Sequence, residues 1–95
     1  MSAPSSTLTP PVPHLILYSR SYCHLCEDML NAFQRHFGHL RYELEVKDLD
    51  ACPEALVFYD ELVPVLLVRH ADGTETELCH YFLDVPRVTE FFEHI

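Results

Sequence analysis

The sequence predicts a single α/β domain built on a four-stranded mixed sheet, with elements in the order β-α-β-α-β-β-α. Two short apolar runs, residues 14–18 (HLILY) and 63–68 (VPVLLV), have the length and composition of strands buried on both faces. Around these runs, apolar residues recur at helical spacing or alternate with polar ones. Because the buried strands belong in the middle, we expect the strand order 2-1-3-4, with helices on both faces of the sheet.

The first half of the domain predicts a right-handed parallel β-α-β crossover. Strand 1 covers residues 14–18, and a helix begins near His24 and ends at Gly38. The apolar stripe of this helix comprises Cys26, Met29, Leu30, Phe33 and Phe37. Residues 40–46 (LRYELEV) alternate strictly, which indicates a half-exposed edge strand. The residues that share one side of this strand are Leu40, Tyr42, Leu44 and Val46.

The second half predicts a short helix, an antiparallel hairpin and a terminal helix. The short helix lies within residues 48–62, with Asp50 as its N-cap and Pro53 in its first turn. A proline at position 64 is compatible with the start of the third strand. This buried strand covers residues 63–68 and is followed by a tight Asp-Gly turn at residues 71–74. An outer strand at residues 74–78 and an amphipathic helix at residues 84–95 complete the domain.

Composition limits the function. Residues 1–11 are rich in Pro, Ser and Thr, which predicts a disordered tail before a domain at residues 12–95. The net charge of −9 and the scattered basic residues argue against a nucleic-acid or membrane surface. The N-terminus has neither the basic nor the apolar region of a signal peptide. Four cysteines without a leader favour a reducing compartment, so we expect a cytoplasmic monomer.

The segment CHLC places two thiols at the junction of the first strand and the first helix. A helix N-terminus offers unpaired N–H groups and positive potential, which stabilise a thiolate at Cys23. Cys26 lies one turn further on and could attack a mixed disulfide formed at Cys23. Glu27 and Asp28 follow at once and compete for the same positive potential, so we expect only moderate activation of the thiol.

The order of elements, CHLC at the first strand–helix junction and Val63-Pro64 before the third strand together resemble the glutaredoxin branch of the thioredoxin superfamily, over residues 13–95. The resemblance implies a thioredoxin-like fold and a cis peptide bond before Pro64. It also implies that the backbone of Val63 pairs with the disulfide substrate. Arg20 matches a basic residue that holds a glutathione carboxylate in that family. Tyr22 and Leu25 are expected to frame the dithiol, and His24 to face solvent beside it as a modulator of the thiol and part of the substrate-binding surface.

One departure from the family bears on the substrate. Many glutaredoxins carry two glycines after the fourth strand, where the backbone approaches glutathione. This chain has Leu78-Cys79-His80-Tyr81 there and no glycine after Gly73. We therefore expect protein disulfides as the first class of substrate and glutathione as the second, with glutathione or a thioredoxin-reductase-type protein as electron donor. No cofactor is required for this chemistry.

The sequence leaves other functions open. A thiol–disulfide oxidoreductase using Cys23 and Cys26 is the principal hypothesis. The alternative is a thioredoxin-fold binding module that holds a metal, an iron–sulfur cluster or a partner protein without turnover. Four residues could formally bind zinc, namely Cys23, Cys26, Cys79 and His80, although their spacing differs from that of zinc knuckles. Packing roles are expected for Cys52 and Cys79.

Overall fold

The computed structural model describes residues 12–94, which fold around a four-stranded sheet. The strands are β1 (His14–Ser19), β2 (Glu43–Asp48), β3 (Val65–Arg69) and β4 (Glu75–His80). The helices are α1 (His24–Phe37), α2 (Pro53–Tyr59) and α3 (Val85–Glu93), with a 3-10 helix (Leu49–Ala51) before α2. The sheet order is β2-β1-β3-β4, with β1 and β2 parallel and the other pairs antiparallel. The predicted order and fold class are confirmed, whereas the proposed N-terminal tail lies outside the described residues.

The two central strands bury both faces, which explains why their sequences are continuous apolar runs. Leu15 and Leu17 of β1 point to the first face of the sheet and pack with residues of α1 and α3 in what we call the first cluster. Ile16 and Tyr18 point to the opposite, second face and pack with the 3-10 helix and α2 in the second cluster. Full burial of an aliphatic side chain contributes about 1.5–3 kcal/mol, so both faces stabilise the sheet.

The edge strand β2 is shifted along the sequence relative to its prediction. It spans Glu43–Asp48 rather than residues 40–46, although Leu40 and Tyr42 still pack against the first cluster. Val46 shares the alternation of Leu44, yet half of its surface is exposed. An edge strand has a neighbour on one side only, so alternation of residue types does not ensure burial along its whole length.

The predicted N-cap at Asp50 is also wrong. The carboxylate of Asp48 caps the 3-10 helix by accepting a hydrogen bond from the Asp50 N–H at 3.0 Å. The α2 helix begins at Pro53 after Cys52, which provides no side-chain cap. Asp50 lies within the 3-10 helix, and its carboxylate binds the guanidinium of Arg20.

The β3–β4 hairpin contains a tight loop and a bulge. Gly73 adopts φ +91 in the loop, a conformation that a residue with a Cβ rarely takes. Further along, Leu66 pairs with Cys79 but Leu67 pairs with Glu77, so Leu78 is the extra residue of a β-bulge. Both Leu78 and Cys79 consequently pack in the first cluster. No helix within residues 12–94 has the length and apolar character needed to cross a membrane.

Candidate functional site

The strand register brings four chain segments to one end of the sheet. Tyr18 near the end of β1 pairs with Val65 at the start of β3, and Val65 pairs with His80 at the end of β4. Ser19 pairs with Asp48 at the end of β2. The segments 20–23, 49–52, 60–64 and 81–84 therefore meet at this end, which we call the dithiol end.

Cys23 and Cys26 form a disulfide, and their Cα atoms lie 5.2 Å apart. Cys23 is the N-cap of α1, and its Sγ accepts a hydrogen bond from the Cys26 N–H at 3.1 Å. Cys23 is partly exposed, whereas Cys26 is only 5% exposed. The sulfur that an external molecule can reach is therefore that of Cys23, and the one behind it belongs to Cys26.

The start of α1 also carries negative charge. Glu27 lies in the first turn, where its N–H donates to the Cys23 carbonyl oxygen at 3.3 Å. Glu27 and the adjacent Asp28 are both exposed, so water screens their charges. The hydrogen bond to Cys23 Sγ stabilises negative charge on this sulfur, whereas the nearby carboxylates disfavour it.

Arg20 is held by two carboxylates. Its Nη2 lies 2.6 Å from Asp50 Oδ1, and its Nη1 lies 2.7 Å from Asp60 Oδ1. Nη1 also donates to the Asp60 carbonyl oxygen at 3.2 Å. The hydrogen bonds to Asp50 and then to Asp60 raise the pKa of Arg20 above its usual value. Arg20 thus connects the end of β1 to both helices on the second face, and a carboxylate ligand would have to compete with Asp50 and Asp60.

The peptide bond between Val63 and Pro64 is cis. Pro64 is buried, and its carbonyl oxygen accepts a hydrogen bond from the Tyr81 N–H at 2.9 Å. Val63 is partly exposed, and none of the hydrogen bonds found among residues 12–94 uses its backbone N–H or C=O. Pairing of the Val63 backbone with a substrate remains a prediction.

The three residues predicted to lie around the dithiol are all at the surface. Tyr22 has φ +61 and a fully exposed side chain, which it presents immediately before Cys23. His24 and Leu25 are exposed on the first turn of α1. Their contact with a substrate remains a prediction.

The sequence alone missed three residues of this end. Asp50 and Asp60 lie 30 and 40 residues from Arg20, and no local pattern pairs them with it. Tyr81 has φ +65, and its hydroxyl donates to the Glu61 carbonyl oxygen at 3.0 Å. The one available signal was that Tyr81 lies in the segment where the related family carries glycines.

The other two cysteines of the chain, Cys52 and Cys79, are free thiols outside the disulfide. Cys79 is buried, and burial raises the pKa of its thiol. Cys52 is partly exposed and packs against the second cluster. Within the described part of the chain, no group of three or more His, Cys, Asp or Glu side chains is arranged to hold a metal ion, which includes the four formal zinc ligands. An open cavity of about 590 Å³ lies along residues 77–87, and neither Cys23 nor Val63 lines it.

The sheet order, the helices on both faces and a dithiol at the first strand–helix junction define a thioredoxin-fold protein. The chain belongs to the glutaredoxin-like family, because residues 14–93 match the model described as Glutaredoxin-like domain (DUF836). The resemblance seen in the sequence is thereby confirmed.

Solved structures agree with this assignment. Protein Ne2328 from Nitrosomonas europaea is 32% identical, with a TM-score of 0.74 over 87% of this chain and 94% of that chain. Protein XcR50 from X. campestris is 26% identical, with a TM-score of 0.56 over 85% and 97%. Thioredoxin 1 from Thermosipho africanus shares the fold, with 15% identity and a TM-score of 0.58 over 85% and 96%. None of the curated proteins compared with the chain matches it.

Proposed function

We propose that this protein is a thiol–disulfide oxidoreductase that acts on disulfides of other proteins through Cys23 and Cys26. The observation that carries the proposal is the asymmetry of the two sulfurs. Cys23 is partly exposed and its sulfur accepts the Cys26 N–H, whereas Cys26 is buried behind it. An accessible, hydrogen-bonded sulfur fits a nucleophile, and a shielded neighbour fits a resolving thiol.

The reaction begins from the reduced dithiol. The Cys23 thiolate attacks one sulfur of the substrate disulfide, forming a mixed disulfide and releasing the other substrate sulfur as a thiolate that takes up a proton. The Cys26 thiol then loses its proton and attacks Cys23 Sγ, which releases the second substrate thiolate. The substrate gains two electrons, and the protein is left with the Cys23–Cys26 disulfide. The reverse sequence oxidises a dithiol substrate.

The dithiol end supports a protein substrate more than glutathione. Within residues 12–94 no hydrogen bond uses the backbone of Val63, so an extended peptide could pair with it beside Pro64. Arg20, the residue expected to bind a glutathione carboxylate, is already held by Asp50 and Asp60. The chain carries a net charge of −9, which disfavours a small anionic thiol such as glutathione.

Turnover requires an external electron donor. A dithiol protein, a thioredoxin-reductase-type flavoprotein or glutathione would each return two electrons to the Cys23–Cys26 disulfide. The electrons reside in the two sulfurs, so the exchange itself needs no bound cofactor. Such a donor belongs to a reducing compartment such as the cytoplasm, where we place the protein. We propose that it acts there as a monomer that binds its protein substrate.

A redox titration against dithiothreitol buffers tests the proposal. We expect a reversible two-electron couple at Cys23 and Cys26, more reducing than the roughly −120 mV of the strongest disulfide oxidants. Tryptic mass spectrometry of alkylated samples would assign the couple to these two cysteines. No reversible couple, combined with stoichiometric zinc or a visible cluster absorption, would instead establish the binding module.

A further inference from the structure

Tyr81 contacts both ends of the segment that contains Val63. Its backbone N–H donates to the Pro64 carbonyl oxygen at 2.9 Å. Its side-chain hydroxyl donates to the Glu61 carbonyl oxygen at 3.0 Å. Val63 lies between these two anchored carbonyls, and its own backbone groups take part in neither bond.

Tyr81 makes these two hydrogen bonds from an unfavourable backbone conformation. Its φ of +65 lies in the left-handed region, which is unfavourable for a residue with a bulky side chain. Such a conformation persists where the surroundings over-determine it. Here the two hydrogen bonds hold the residue, and the His80 ring packs edge-on against the Tyr81 ring with centroids 4.7 Å apart.

The register places this contact at the dithiol end of the sheet. The residue before Tyr81 pairs with Val65, and Val65 pairs with Tyr18 on the strand that leads to Cys23. A change in the position of residues 61–64 therefore changes where Val63 stands relative to the end of β1.

We propose that Tyr81 is a positioning residue, which clamps residues 61–64 so that the backbone of Val63 is held ready to pair with a peptide substrate. This inference rests on the proposed oxidoreductase function and deepens it. The clamp acts on substrates that have amide groups next to their disulfide. It has no effect on a disulfide without a peptide backbone.

The test compares a cysteine-linked peptide disulfide with hydroxyethyl disulfide, which has no amide groups. Tyr81→Phe removes the bond to the Glu61 carbonyl and keeps the ring. For the peptide disulfide we expect KM to rise about 2- to 10-fold with kcat unchanged, the range given by the loss of one hydrogen bond. For hydroxyethyl disulfide we expect the rate of the variant to equal that of the natural protein.

Tyr42→Phe is the matched control. Its ring packs edge-on against Phe33, and its hydroxyl makes none of the hydrogen bonds found within residues 12–94. It precedes Glu43, which pairs with His14 at the opposite end of the sheet. We expect this variant to keep the natural KM for both disulfides.

The outcomes separate the two proposals. If the natural protein reduces neither disulfide, the oxidoreductase function is wrong and the clamp has no substrate to position. If the natural protein is active but Tyr81→Phe affects both disulfides equally, or neither, the positioning role of Tyr81 is wrong. Amide hydrogen exchange gives a check that does not depend on any variant, because the Tyr81 N–H must be protected in the natural protein. A rapidly exchanging Tyr81 amide would overturn the clamp.

Discussion

The N–H of Cys26 donates a hydrogen bond to the Sγ of Cys23 at 3.1 Å. The residue proposed to resolve the mixed disulfide therefore also supplies, through its backbone, a donor to the proposed nucleophile. A side-chain substitution at position 26 leaves this donor in place. The two roles of Cys26 can thus be separated by experiment.

Cys26→Ser should accumulate mixed disulfides with substrate proteins, because Cys23 keeps its hydrogen bond but no thiol completes the exchange. Cys23→Ser should abolish reductase activity and form no such adducts. Intact-mass spectrometry before and after reduction measures both results, and Cys52→Ser serves as a control for thiol content. Full activity in Cys23→Ser would contradict the assignment of the nucleophile.

The ion pairs of Arg20 predict how glutathione use depends on charge. Asp60→Asn removes the carboxylate 2.7 Å from Nη1 and leaves the guanidinium partly unpaired. We expect the KM for glutathione to fall in this variant, because a glutathione carboxylate no longer competes with Asp60. Steady-state turnover with glutathione as the reductant measures the change.

Glu90→Gln makes the same change in net charge on the exposed surface of α3 and is the control. It should leave the KM for glutathione close to that of the natural protein. An equal fall in both variants would show that overall charge, rather than release of Arg20, governs glutathione use.

Arg20→Met should lower the midpoint temperature of thermal unfolding, because it removes the ion pairs with Asp50 and Asp60. The loss should shrink as added salt screens these exposed pairs.

The parts of the fold that local patterns specify were predictable, and those that depend on distant residues were not. The apolar runs at residues 14–18 and 63–68 identified the central strands, because burial on both faces leaves a continuous signature in sequence. CHLC identified the dithiol because its placement at a helix start is also local. The partners of Arg20 and the Glu61 contact of Tyr81 span 20–40 residues, so no spacing rule indicates them.

We predict that the buried thiol of Cys79 makes the folded protein less stable at alkaline pH. Burial raises the pKa of its thiol in the folded protein above the roughly 8.5 of an exposed cysteine. The unfolded chain therefore ionises first as pH rises. The stabilising contribution is complete below about pH 8.5 and is lost as pH rises towards the folded pKa.

Urea unfolding between neutral pH and about pH 10 measures this effect. Cys79→Ala should show a smaller loss of unfolding free energy over that interval than the natural protein. Part of the loss should persist, because burial also raises the pKa values of Tyr18 and Tyr59. Cys52→Ala, which replaces a partly exposed thiol, is the matched control. An unchanged pH dependence in Cys79→Ala would contradict the burial argument.

Among the side chains on the first face of the sheet, we expect truncation of Phe33 to cause the largest loss of stability. It is 1% exposed, and its ring lies 5.4 Å from Phe37, 5.0 Å from Tyr42 and 6.4 Å from Phe92, measured between centroids. It thus joins α1 to the chain entering β2 and to α3. Phe33→Ala should lower the free energy of unfolding by about 3–5 kcal/mol, through lost burial and the cavity that remains.

Phe58→Ala makes the same substitution at a ring that is 73% exposed on α2. Because this ring already contacts water, we expect a change within about 0.5 kcal/mol. Urea unfolding at neutral pH measures both variants, and an unchanged slope with denaturant would show that the denatured state is not altered. Equal losses in the two variants would contradict the placement of Phe33 at the centre of the core. A loss at Phe58 alone would instead show that the exposed face of α2 packs against another surface in solution.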